Sequence, residues 1–149
     1  MLPKKILFCT DFSENSKPAL TLALEYAKSF GSGLIIIHVL NAKHLGYPSL
    51  EDVPLFDVSV KTIEERLSQA LEAMAQDVRA NVPDVTTYLR EGRPSKEIVN
   101  LANELAVDLV VIGTHGWTGL GHVLVGSTAE NVLRTAHRPV LVVWSKANG

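Results

Sequence analysis

Cysteine is almost missing from this chain of 149 residues. Cys9 is the only one, so no internal disulfide can form, and no cysteine cluster exists to build a zinc site. The five histidines, His38, His44, His115, His122 and His137, show no H-x-x-x-H pairing that would supply a metal-binding helix face. Charge of one sign is lacking too: 14 Lys and Arg stand against 16 Asp and Glu, a formal net charge of -2. Nucleic-acid and anionic-membrane partners usually require an excess of positive charge, so neither is expected. Long hydrophobic runs are absent, since Leu109 to Ile112 and Val140 to Trp144 fall far short of the roughly 18 residues of a membrane-spanning helix. Met1 to Lys5 leads directly into a strand pattern with no signal-peptide apolar core, and a cytoplasmic protein is expected. What the chain does have is 46% apolar residues against 20% charged. That balance predicts one folded domain over residues 1–149, and at this length about 68–70% of the unfolded chain's surface can be buried without staples.

Ile6 to Thr10, Leu34 to Leu40, Leu109 to Ile112 and Val140 to Trp144 are short runs rich in β-branched residues and without alternation. Strands covered on both faces of a parallel sheet read this way. Between them lie helical periodicities. Ala19, Leu20, Ala23, Ala27 and Phe30 share one face of a first helix, with Ser13 or Ser16 as its cap and Gly31 or Gly33 as its stop. Val60, Ile63, Leu67, Ala70, Leu71, Met74 and Val78 mark a second helix, which Pro83 closes. Val85 to Glu91 alternates more clearly and suits a strand nearer a sheet edge. Pro94 and Ser95 then open a helix that turns Ile98, Leu101, Ala102 and Leu105 inward, and a last helix begins near Ser127. Strands alternating with helices of this length predict a doubly wound α/β domain: a five-stranded, mostly parallel sheet with helices on both faces. The connection from 41 to 58 is unusually long and suits either a surface crossover or a lid.

The most informative stretch is Gly113-Thr114-His115-Gly116, then nine residues, then Gly126-Ser127-Thr128. It follows a strand and precedes a helix, which in an open α/β sheet is where ligands bind and where glycines let backbone N–H groups approach a phosphate. Ser127 and Glu130 have capping-box spacing, which would put Ser127 at a helix start whose N–H groups and dipole favour an anion. Two commoner phosphate motifs fail. The frame from Gly121 to Thr128 has Ser127 where a P-loop needs lysine, and Gly119 and Gly121 lack the third glycine of the dinucleotide fingerprint and follow the wrong strand. The spacing alone leaves open that these glycines only make turns.

The chain resembles the universal stress protein family, in its ATP-binding branch, over essentially its whole length. The resemblance rests on Lys5-Ile6-Leu7-Phe8-Cys9-Thr10-Asp11-Phe12-Ser13, on the strand ending His38-Val39, and on the motif G-x-x-G, nine residues, G-S/T, complete here as Gly113, Gly116, Gly126 and Ser127. It implies a Rossmann-like adenine-nucleotide fold that takes ATP. Asp11 would lie beside the ribose and phosphates and help hold Mg²⁺ or Mn²⁺, Val39 would meet adenine through its backbone, and Thr10 would flank the adenine pocket. Ile112, Gly113, His115 and Gly116 would line the ribose and phosphate side, with Gly126, Ser127 and Thr128 cradling the phosphates. Cys9 departs from the proline common at its place. The resemblance also implies a homodimer through the last strand, Val140 to Trp144, which would cover an apolar sheet edge.

No lysine lies in the glycine motif and no general base is evident, so any ATP hydrolysis is expected to be slow. Arg134 and Arg138 fall near the end of the last helix, where they complement its dipole. Nothing resembles the G-x-S-x-G elbow of a serine hydrolase. The reading is an ATP-binding regulator or sensor of the stress response, with nucleotide ordering residues 117–125 and the 41–58 connection for a protein partner. A slow metal-dependent ATPase or phosphotransferase, and a nucleotide-free dimeric module, are the alternatives. Trp117 receives no role.

Overall fold

A computed structural model describes residues 1–41, 43, 58–114 and 125–145. In chain order these form β1 (Lys5–Cys9), a 3-10 turn (Glu14–Ser16), α1 (Lys17–Phe30), β2 (Gly33–Leu40), α2 (Val58–Arg79), β3 (Val85–Glu91), α3 (Pro94–Glu104), β4 (Leu109–Gly113), α4 (Ser127–Thr135) and β5 (Val140–Val143). The five strands make one sheet in the order β3-β2-β1-β4-β5, and every neighbouring pair is parallel. β3 lies at an edge, as its alternation predicted.

Both sheet faces are covered, which explains the uninterrupted apolar runs. Ile6, Phe8, Leu34, Ile36 and Val111 meet the buried Ala19, Ala23 and Ala27 of α1 and Leu71, Ala75 and Val78 of α2. Alanine at those three α1 positions lets the helix backbone approach the strands closely. On the other face Leu7, Cys9, Ile35, Ile37, Val39, Val110 and Ile112 pack against Ile98, Leu101 and Ala102 of α3 and Ala129 and Val132 of α4. Each fully buried side chain of the Leu101 or Val132 kind contributes about 1.5–3 kcal/mol of transfer free energy.

The crossovers set the geometry of the site. From β1 the chain moves outward through α1 and α2 to β3, then returns across the opposite face through α3 to β4 and β5. Strand order therefore reverses between β1 and β4, and the loops leaving their carboxyl ends part to opposite faces and leave a crevice.

Several expected boundaries shift. Gly33 opens β2 rather than stopping α1, whose end is Gly31 at φ 66° with the Ser32 N–H on the Ala27 carbonyl at 2.9 Å. A Cβ on Gly33 would fall 2.5 Å from Asp84 Oδ2. Neither Ser13 nor Ser16 caps α1 through its side chain. The Ser13 hydroxyl turns back to Asp11, and Ser16 Oγ donates to the Ser13 carbonyl at 2.8 Å, because a 3-10 turn intervenes before α1. β5 ends at Val143, so Trp144 stands outside the strand. Most of the 41–58 connection, His44 and His122 lie outside the described residues.

Candidate functional site at the carboxyl ends of the strands

β1 leaves the sheet through Thr10, Asp11, Phe12 and Ser13, and nearly every polar group there is tied. The Thr10 N–H extends the β1–β2 ladder to the Ile37 carbonyl at 2.9 Å. Thr10 Oγ1 accepts the Phe12 N–H at 3.0 Å. Asp11 Oδ1 accepts from the Ser13 N–H at 2.9 Å and from the Ser13 hydroxyl at 2.5 Å. Phe12 sits in the left-handed region at φ 63°, a conformation that L residues other than Asn and Asp rarely adopt. Its ring lies 4.8 Å from that of His38, whose Nδ1 bonds the Thr10 carbonyl at 2.8 Å. This turn sets the half-buried Asp11 carboxylate at the sheet's carboxyl end.

β4 leaves through Ile112, Gly113 and Thr114. A Cβ on Gly113 would sit 3.2 Å from the Asn15 carbonyl oxygen, so the bare position lets the 3-10 turn after β1 close against β4. Thr114 is buried; its N–H donates to the Val143 carbonyl at 3.1 Å and its own carbonyl accepts the Gly126 N–H at 2.5 Å. The second bond fastens the start of α4 to the end of β4. The cap of α4 is Gly126 with extended backbone, φ -66° and ψ 156°, rather than Ser127, which is the first helical residue. The expected capping box does not form: Glu130 instead pairs with Arg134 at 2.6 Å. No side chain caps α4, and Ser127 is exposed at its tip.

Thr10, Asp11, Val39, Ile112 and Gly113 thus end three adjacent strands, β2, β1 and β4, and the Thr114–Gly126 bond brings Ser127 and Thr128 to the same end of the sheet. His115, Gly116 and Trp117 lie outside the described residues. Two clefts of about 200 and 250 Å³ sit at the opposite, amino end around Gly33 and Asp84. The strand reversal and the open start of α4 lie at the carboxyl end.

A sequence model of the Universal stress protein family matches residues 3–143. The chain belongs to the universal stress protein family. Universal stress protein MJ0577 of Methanocaldococcus jannaschii is 32% identical over 96% of this chain and 96% of its own. Universal stress protein A homolog 1 of Coxiella burnetii is 33% identical over 96% and 97%. Among solved structures, the universal stress protein UspA from Lactobacillus plantarum superposes with a TM-score of 0.82 at 25% identity, covering 94% of this chain and 97% of that one.

In this family member the metal question turns on Asp11. Among the described residues no three His, Cys, Asp or Glu side chains converge to hold an ion. A single carboxylate supplies only part of the oxygen shell that a hard divalent cation needs, so Asp11 fits such an ion where phosphates and water complete the shell. Cys9 is buried in the sheet, and burial pushes its thiol far up, which leaves it a packing residue. Arg138 reaches the Val107 carbonyl at 2.5 Å and Asn103 Oδ1 at 2.7 Å, so it braces the α3–β4 connection. Thr114, Asn15 and His38 organise the site, yet the sequence gives none of them a role, although Thr114 and His38 fall within the motifs quoted. Only the position of His38 at a strand's carboxyl end marked it.

Proposed function

We propose that this universal stress protein binds an adenine nucleotide, ATP foremost, in the crevice between the carboxyl ends of β1 and β4. The observation that carries the reading is the uncapped start of α4 fastened beside that strand reversal, where free N–H groups and the helix dipole favour phosphate. The Gly126 N–H is committed to Thr114. The phosphate donors proposed here are therefore the N–H and hydroxyl groups of Ser127 and Thr128, and His115 and Gly116 of the glycine motif are proposed as further ribose and phosphate contacts. Val39 meets the adenine through its backbone, Thr10 flanks it, and Ile112 and Gly113 line the ribose side. Asp11 faces the ribose and phosphates, and holds Mg²⁺ or Mn²⁺ carried in by the nucleotide. That ion neutralises phosphate charge when bound. The role of Asp11 is to hold and orient, since its Oδ1 already accepts two hydrogen bonds.

Two fold neighbours, each 23% identical to this chain, are described as complexes, one with cAMP and one with dAMP. They show the fold. The reading for this chain rests on its own residues.

The nucleotide is held rather than turned over in this proposal. Phosphoryl transfer needs cationic groups on the leaving phosphates, and the described arginines nearest to α4 are engaged elsewhere, Arg134 with Glu130 and Arg138 with Val107 and Asn103. A nucleotide-responsive regulator in the cytoplasm is the resulting function. It acts as a homodimer through β5, a half-buried edge of four apolar residues followed by Trp144 at 55% exposure.

Calorimetric titration of nucleotide-stripped protein with ATP, with and without Mg²⁺, tests the reading. Saturable binding that strengthens with Mg²⁺ is expected, with no ADP or AMP formed over the titration. No heat and an unshifted melting temperature refute it. Rapid product formation abolished by Asp11→Ala would assign an enzyme instead.

A further inference from the structure

The β1–β2 ladder stops one rung early. Facing β1, the Gly33 N–H donates to the Lys4 carbonyl and the Ile37 carbonyl accepts the Thr10 N–H, both at 2.9 Å. Facing β3, the Leu34 N–H donates to the Asp84 carbonyl and the Leu40 carbonyl accepts the Gly92 N–H. In a parallel ladder the N–H and C=O of one residue point to one neighbouring strand and those of the next residue to the other. The Val39 N–H and C=O therefore point to the β1 side. The register, with Cys9 opposite Ile37, makes the Thr10 carbonyl the next acceptor and the Val39 N–H its donor. That bond is not made among the described residues. The Thr10 carbonyl takes His38 Nδ1 at 2.8 Å, and a carbonyl can only accept, so Nδ1 carries the hydrogen.

We propose that His38 is a positioning residue of the nucleotide site: its side chain replaces a ladder bond, holds the β1 exit turned away from β2, and leaves the Val39 peptide facing the crevice. An adenine presents an amino donor beside a ring-nitrogen acceptor, which the C=O and N–H of one residue can match. Guanine carries a carbonyl where adenine has the amino group. The ring of His38 adds a second restraint by lying against Phe12, whose left-handed backbone at φ 63° makes the turn. The inference rests on the adenine-nucleotide reading above, and assigns base selection to a residue that need not touch the base.

His38→Asn and His38→Phe separate its two contacts. Asn keeps a donor near the place of Nδ1 and loses the ring; Phe keeps a ring against Phe12 and has no donor. Wild type and both variants are titrated with ATP, GTP and inorganic tripolyphosphate, and melted without ligand. His38→Phe should lose about tenfold in ATP affinity, the yield of one hydrogen bond, with a collapsed preference for ATP over GTP and unchanged tripolyphosphate binding. His38→Asn should stay within about threefold of wild type for ATP. A Phe variant with the wild-type ATP:GTP ratio overturns the inference, as does an equal loss for tripolyphosphate, which would assign His38 to general stability. A wild type that binds neither ATP nor tripolyphosphate overturns the nucleotide reading itself, whereas ATP binding by the wild type with no change in His38→Phe overturns the inference alone.

Discussion

Asp11 has two tasks in this structure, one of them seen and one proposed, and two substitutions divide them. Its Oδ1 accepts the Ser13 N–H at 2.9 Å and the Ser13 hydroxyl at 2.5 Å, and Ser13 is only 4% exposed. Asp11→Ala leaves both buried donors without that acceptor. A hydrogen bond to a charged group contributes about 1.5–3 kcal/mol, and the half-exposed carboxylate brings the pair down to about 2 kcal/mol altogether. For a domain of this size that lowers the melting temperature by roughly 4–8 °C. Asp11→Asn retains an oxygen for Ser13 and removes the charge, so its stability should fall by less than about 1 kcal/mol. On the proposed function the Asn variant still loses Mg²⁺-dependent ATP binding, by about tenfold or more, because a neutral amide is a poor partner for a hard cation. Denaturant unfolding and calorimetric titration of the same samples give both numbers. An Asn variant with wild-type Mg²⁺ dependence refutes the metal role. An Ala variant as stable as wild type refutes the account of the β1 exit.

Three further outcomes are expected. Gly113→Val puts a branched side chain against the Asn15 carbonyl, already 3.2 Å from a bare Cβ, and should cost about 1–3 kcal/mol of stability in chemical denaturation; an unchanged midpoint would mean that the 3-10 turn yields freely. Glu91 is raised to about 7 by its hydrogen bond with Glu64 first, then by burial and by the Glu64 charge. Its neutral form is favoured in the folded state, so this contribution is complete below the ordinary carboxylate range and is lost as pH rises through about 7. Unfolding free energy should decline from pH 5 to pH 8, and an undiminished slope in Glu91→Gln would sink the assignment. On the proposed homodimer, Val142→Lys should shift sedimentation to the monomer, since a charge in β5 opposes pairing of that edge; a persistent dimer would place the interface elsewhere.

The fold was legible because this sheet is buried on both faces. Runs such as Ile6–Phe8 and Leu34–Ile37 are apolar at every position because helices cover both faces of these strands. Helix starts were read less well for a local reason. Ser13, Ser16 and Ser127 have the chemistry of caps, but each is outbid by a nearer structural demand: Ser13 by the Asp11 carboxylate, Ser16 by the 3-10 turn, and Ser127 by the bond that makes Gly126 the cap. These are tertiary facts that spacing cannot carry. For Gly113 the pattern suggested room for a ligand, and the structure supplies a different reason for the missing side chain, the approach of Asn15.

The two readings of Gly113 are compatible, and their compatibility bears on how such a site works. A crevice at a strand reversal is useful only if the backbone groups that end the strands are divided between holding the fold and facing the ligand. Thr10, Thr114 and Gly126 lie on the structural side of that division: the Thr10 N–H and carbonyl meet Ile37 and His38, the Thr114 N–H and carbonyl meet Val143 and Gly126. Each committed group fixes the direction of its neighbour. Thr10 sets Asp11, His38 sets Val39, and the Thr114–Gly126 bond sets the tip of α4 at Ser127. Asp11, Val39, Gly113 and Ser127, four of the residues proposed to touch nucleotide, are thus immediate chain neighbours of residues whose polar groups are bonded within the protein itself. Rigid placement of that kind lowers the entropy lost when a ligand binds, and favours a protein that holds its nucleotide over one that must open and close around a reaction.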